Sequence, residues 1–158
     1  EKVAVIVEAL TDNKNRTASN IRTIFQKNGG NLGESGVAAH QFKQSGVIRI
    51  DKNKISDNDI LELAINAGAE DCSSSSSYHE IITIKENFYK VKVEIEKKIQ
   101  DFISSGIEWL PINKISLDEE KTKSVLSFLE ILEDDEDVQY VYANLEVGNN
   151  VLSKESIT

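Results

Sequence analysis

Val3-Ala4-Val5-Ile6-Val7-Glu8-Ala9-Leu10-Thr11-Asp12-Asn13-Lys14-Asn15-Arg16-Thr17 reads as a buried strand, a polar turn and the start of a helix. Residues 3–10 are a Val/Ile-rich run broken only by Glu8, the pattern of a strand covered on both faces. Thr11 to Asn15 carry turn chemistry. Residues 17–28 then place Ile21, Ile24 and Phe25 at i, i+3 and i+4 of a predicted helix. Asn15 or Thr17 is its expected N-cap, and Asn28-Gly29-Gly30 its stop.

Working outward, a Gly-rich loop runs to Gly36. Two short strands are predicted over 37–43 and 47–51, joined by a tight turn at Gln44-Ser45-Gly46. Residues 55–68 form a predicted helix capped by Ser56, with Asp59 three residues on, burying Ile60, Leu63, Ala64 and Ala67. Strands over 69–72 and 78–84 flank Ser73 to Ser77, a five-serine run expected at a hairpin tip. A longer helix over 86–104, capped by Thr83 with Glu86, carries the stripe Phe88, Val91, Ile95, Ile99, Phe102 and Ile103. Residues 90–95 also alternate like a strand, but the flanking helical period favours helix. Residues 107–114 read as a strand with Trp109, where Pro111 demands an edge position or a bulge. Ser116-Leu117-Asp118-Glu119 opens a helix to about residue 133, with Val125, Phe128, Leu129 and Leu132 on one face. Residues 138–147 are the last strand.

The order βαββ, αββαβ, αβ implies an α+β class. Joining the outer pieces gives a ferredoxin-like βαββαβ domain. Its expected limits are residues 1–52 plus 116–147, a discontinuous domain with a second α/β domain, 53–115, inserted; 148–158 form a polar tail. One continuous seven-stranded sheet is the simpler alternative.

The 158 residues are 39% hydrophobic and 28% charged, as in a globular protein. No apolar run approaches membrane-spanning length, so no membrane association is expected. The chain opens in a predicted strand with no initiator Met and no signal-peptide pattern, which suggests a fragment. One cysteine, Cys72, fits a reducing cytoplasm, or an organelle matrix in a eukaryote. The net charge of −9 is opposite to what phosphate binding requires, so DNA affinity from these residues as a whole is expected to be weak.

Chemical motifs fail one by one, so no catalytic, cofactor or metal residues are assigned and no cofactor is expected. His79-Glu80-Ile81-Ile82-Thr83 has Thr83 where a zinc-protease helix has its second histidine, and it reads as strand. His40 reads as a partly buried strand residue beside Phe42. Gly29-Gly30-Asn31-Leu32-Gly33-Glu34-Ser35-Gly36 lacks the lysine of a phosphate loop and follows a helix rather than a strand. Asp12-Asn13-Lys14-Asn15 puts lysine at a required oxygen position of a calcium loop. The run from Glu133 to Asp137 reads as a solvated connection. Asp12, Asn13, Lys14, Asn15, Arg16, Arg22, Lys27 and Asn31 remain as candidate nucleic-acid or partner contacts, the basic ones on one helix edge of an acidic protein.

Residues 3–17, Gly29-Gly30-Asn31-Leu32-Gly33, Ala67-Gly68-Ala69-Glu70-Asp71, Pro111, and residues 129–137 followed by Val138-Gln139-Tyr140-Val141-Tyr142-Ala143-Asn144 resemble the YebC/PmpR family in order and spacing. That family includes the mitochondrial translational activator of cytochrome oxidase. The resemblance implies two α/β domains, one inserted in the other, preceded by an N-terminal helical domain that is missing here. It implies a non-enzymatic regulator of gene expression, either a DNA-binding transcriptional regulator or a ribosome-associated translation factor. Its partner would be nucleic acid, DNA or ribosomal RNA, mainly through that helical domain, with a possible ribosome contact. The family's acidic loop is replaced here by Ser73 to Ser77. A protein–protein adaptor and an enzyme or small-molecule sensor are the competing classes.

Overall fold

A computed structural model of the protein describes residues 3–33 and 38–147. The element order is β1 (Val5–Ala9), α1 (Lys14–Lys27), β2 (Phe42–Asp51), α2 (Asp57–Ala67), β3 (Asp71–Ser74), β4 (Tyr78–Ile84), α3 (Phe88–Glu96), β5 (Ser104–Pro111), β6 (Ile115–Ser116), α4 (Glu119–Asp134), β7 (Val138–Ala143) and β8 (Leu145–Glu146). Single 3-10 turns occupy Ala38–Gln41, Lys52–Lys54 and Lys85–Asn87. The expected tail over 148–158 lies outside the described residues, as do residues 34–36 of the Gly-rich loop and Val37. No helix among the described residues is long and apolar enough to cross a membrane.

The chain divides into two compact units. One is Gln44–Leu110; the other combines the segments up to Lys43 and from Pro111 onward. These cuts differ from the expected ones at 52/53 and 115/116, because most of β2 and of β5 falls within Gln44–Leu110, the inner unit in chain order.

The inner unit has a four-stranded sheet in the order β3-β4-β2-β5. β4 runs antiparallel to both β2 and β3, so β2, α2 and β3 form a crossover split by β4. Even-numbered β2 residues face the helices: Ile48 and Ile50 pack with Ile60, Ala64, Ala67, Ile81, Val91, Ile95 and Ile99. Helix α2 has the expected ends. Ser56 Oγ accepts from the Asp59 N–H at 3.1 Å, and Gly68 closes the helix in the left-handed region at φ 94°.

Gly46 marks no turn. It sits inside the ten-residue β2, where an added Cβ would overlap Thr83 Oγ1 and the Phe88 side chain. Helix α3 is shorter than the predicted 86–104 and has no side-chain cap; Thr83 lies in β4 instead. The helical period continues through Ile99, but the Ile103 N–H already bonds the Arg49 carbonyl at 2.8 Å, so pairing with β2 ends the helical course. Pro111 ends β5, which lies at the edge of the sheet, where a missing N–H is tolerated.

In the outer unit β1 and β7 pair antiparallel, from Val5 opposite Ala143 to Ala9 opposite Val138, and β6 pairs parallel with β8. The expected βαββαβ pairing in residues 1–52 plus 116–147 is therefore not formed among the described residues. The strand predicted over 47–51 is central to the inner sheet, where Val47, Ile48 and Ile50 are buried on opposite faces. Helices α1 and α4 cover one face of the β1–β7 ribbon through Ile21, Phe25, Phe128, Leu129 and Leu132, packed with Val5, Val7, Val138 and Val141. Phe25 and Phe128 meet edge to face at 5.0 Å. Buried Asn144 ties the unit together: its Oδ1 accepts from the Ala4 N–H, its Nδ2 donates to Gln41 Oε1, and its carbonyl accepts from Ile115.

Candidate functional site

The turn between β1 and α1 is built by hydrogen bonds within residues 11–17. Asn13, rather than Asn15 or Thr17, is the N-cap: its Oδ1 accepts from the Arg16 N–H at 3.0 Å. Thr11 Oγ1 accepts from the Asn13 N–H at 3.0 Å, which sets the entry angle of the chain. Thr17 Oγ1 lies 2.7 Å from both Thr11 Oγ1 and Asp137 Oδ2. A hydroxyl has one proton and a carboxylate can only accept, so Thr17 donates to Asp137.

Arg16 Nη2 lies 3.3 Å from Asp12 Oδ1 and 3.3 Å from Asp137 Oδ2. The hydrogen bond and then the charge of Asp137 raise the Arg16 pKa above its ordinary value, with Asp12 adding to them. Asp137 is held in turn by its own backbone. Its N–H bonds Asp135 Oδ1, and its carbonyl accepts from Leu10. The last residue of the acidic run is thus a structural anchor. Its spacing from the turn, 120 residues from Thr17, left no signal in the sequence.

The candidate residues separate into two groups. Asp12, Asn13 and Arg16 converge on one polar cluster with Thr11, Thr17 and Asp137. Asn15, Lys14, Arg22, Lys27 and Asn31 are exposed outside it. The expected single basic edge does not form. At about 100° per residue, Lys14 and Arg22 point about 80° apart, whereas Arg16 and Lys27 share a direction but lie about 16 Å apart along the axis. Thr17, Ile21 and Phe25 take the buried face. His40, expected in a strand and partly buried, is exposed in the 3-10 turn before β2.

A second polar cluster lies on the sheet face of the inner unit opposite the one that α2 and α3 cover. Arg49 on β2 makes a forked contact to Glu108, Nη1–Oε2 2.7 Å and Nη2–Oε1 3.1 Å. Its Nε bonds Glu80 Oε2 at 3.1 Å, and its guanidinium stands 6.0 Å from the Tyr78 ring centre. Burial works against this charge, but Glu108 and Glu80 outweigh it and raise the Arg49 pKa. Both carboxylates are used on one arginine, so the arrangement is an ion-pair clamp across three strands. Among the described residues, no group of three or more His, Cys, Asp or Glu side chains is placed to hold a metal ion.

A family model described as "TACO1/YebC second and third domain" matches residues 1–145. The chain belongs to this family. A probable transcriptional regulatory protein of Pelagibacter ubique is 55% identical over 150 residues, covering 95% of this chain and 62% of that protein. A probable transcriptional regulatory protein of Syntrophus aciditrophicus is 44% identical over 154 residues, covering 98% of this chain and again 62% of the relative. Among solved structures, a conserved hypothetical protein from Aquifex aeolicus matches with a TM-score of 0.87 and 41% identity, over 95% of this chain and 62% of that one. The chain therefore spans about three fifths of the length of these relatives, and its mixed α/β fold is shared with the solved Aquifex aeolicus protein.

Proposed function

We propose that this chain supplies the two α/β domains of a non-enzymatic, cytoplasmic regulator of gene expression that works on nucleic acid. The observation that carries the reading is its 55% identity, across 95% of its length, to a protein named a probable transcriptional regulatory protein. We read the Gln44–Leu110 unit as ferredoxin-like; its βαββαβ order and its β3-β4-β2-β5 arrangement support this. The unit that flanks it is the domain it interrupts.

The charge of −9 argues against these two units as the main phosphate-binding surface. Their part is scaffold and partner surface, and the main nucleic-acid contact is made by the helical domain that precedes them in the family. Lys14, Arg22 and Lys27 are the cations best placed to assist, since they are exposed and stand outside the Asp137 cluster.

The test uses the full-length protein against promoter DNA and against ribosomes in parallel, over a range of salt. DNA retention that falls steadily with salt is the expected result. Retention on ribosomes alone at physiological salt would replace the transcriptional reading with a translational one.

A further inference from the structure

Five identical serines, Ser73 to Ser77, have no distinguishing mark in the sequence, yet the fold gives two of them different chemistry. Ser75 is consumed by the β3–β4 turn. Its Oγ accepts from the Tyr78 and Ser77 N–H groups and donates to the Tyr78 carbonyl. Ser74 stands directly opposite His79 in the β3–β4 register, with its Oγ 2.7 Å from His79 Nδ1.

We propose that Ser74 is an acyl-acceptor site whose hydroxyl is activated by His79. The His79 side chain is fully buried, and its Nε2 lies 2.8 Å from the Ile55 carbonyl oxygen. A carbonyl carries no proton, so Nε2 holds the hydrogen. With the ring neutral, that tautomer offers its lone pair at Nδ1 and Ser74 donates to it. Nucleophile, base and orienting group stand in the relation that activates a hydroxyl. Ser74 itself is exposed, and β3 is an edge strand, so an incoming reagent can reach the oxygen. Asp57 Oδ1 lies 3.8 Å from Nδ1, close enough to steady a transient imidazolium, while its own charge is shared with Lys52 at 2.6 Å.

The step balances without a redox partner. Ser74 Oγ attacks the carbonyl carbon of an activated ester or thioester, and its proton passes to His79 Nδ1. The tetrahedral adduct collapses with cleavage of the carbon–oxygen or carbon–sulfur bond. The leaving group takes the proton from Nδ1, and Ser74 remains as an O-acyl ester.

The test is timed incubation of the intact protein with p-nitrophenyl acetate, followed by fragment-ion mapping of each serine. General-base assistance predicts that Ser74 is acetylated at least about tenfold faster than Ser73, Ser76 or Ser77. H79Q should bring Ser74 down to its neighbours' rate. Because His79 is fully buried and H79Q can disturb the fold, D57N at a half-exposed position serves as the second variant and should slow Ser74 severalfold with the hairpin intact. Equal labelling of Ser74 and its neighbours in the unmodified protein overturns the proposal and leaves the Ser74–His79 contact purely structural.

Discussion

Thr17 Oγ1 donates to Asp137 Oδ2 across 2.7 Å, joining the first turn of α1 to the end of the acidic connection before β7. Thr17 is 3% exposed, so this hydrogen bond to a carboxylate is shielded from water. Such bonds contribute about 1.5–3 kcal/mol. Thr17→Val should destabilise the outer unit by about that amount in urea denaturation, and Thr17→Ser should retain most of the stability. Equal stability of the Val variant and the parent would remove Asp137 from the structural account.

Arg49 sits between two partly buried carboxylates, Glu80 and Glu108. Arg49→Met should destabilise the inner unit by on the order of 2–4 kcal/mol, because Glu80 and Glu108 are left partly buried and facing each other. Arg49→Lys should recover only part of this, since an ammonium cannot fork onto Glu108. Thermal unfolding of the three proteins side by side tests the ranking.

Gly46→Ala should cost about 1–3 kcal/mol, because its Cβ would overlap Thr83 Oγ1 and the Phe88 ring. The loss should appear in thermal unfolding with the strand order intact. A neutral substitution would show that α3 can shift away from β2 at no cost.

The Asp57 carboxyl lies below its ordinary value of 3.8, foremost because Lys52 donates a hydrogen bond to it, an effect that burial opposes. A depressed carboxylate contributes stability that is present above the unfolded value and lost as pH falls through the folded one. The Tm difference between the parent and Lys52→Gln should therefore be present at pH 6 and shrink toward zero below about pH 4. A difference that stays constant with pH would mean that Lys52 acts through packing alone.

Lys14, Arg22 and Lys27 test the nucleic-acid reading. Changing all three to Glu should leave stability within about 0.5 kcal/mol per site, as exposed positions do. In the full-length protein it should weaken DNA or ribosome binding and flatten the salt dependence. Unchanged binding would make these side chains ordinary solvated surface.

Local signals and local structure agree where the interactions lie close in sequence. Ser56 with Asp59, Gly68, the Ile21/Phe25 stripe and the edge position of Pro111 follow from bonds or steric limits spanning a few residues, and they were readable as such. Gly46 misled because glycine permits a turn and also permits close packing. Only the neighbouring Thr83 and Phe88, distant in the chain, distinguish the two. The N-cap is Asn13 rather than Asn15 or Thr17: Asn13 Oδ1 accepts the Arg16 N–H, while Thr17 Oγ1 is engaged by Asp137.

By itself the sequence determined the family, the mixed α/β composition, most elements and most residues of the buried stripes, since these rest on periodicity and local motifs. Ile103, expected in the α3 stripe, is exposed beyond the helix. Tertiary structure alone decided which unit owns β2, because a strand buried on both faces is assigned by its partners. It also decided that Arg16 belongs to an ion-pair cluster rather than to a basic edge. And it decided that one serine of five stands against His79, because strand register, invisible in a run of identical residues, sets which side chains meet.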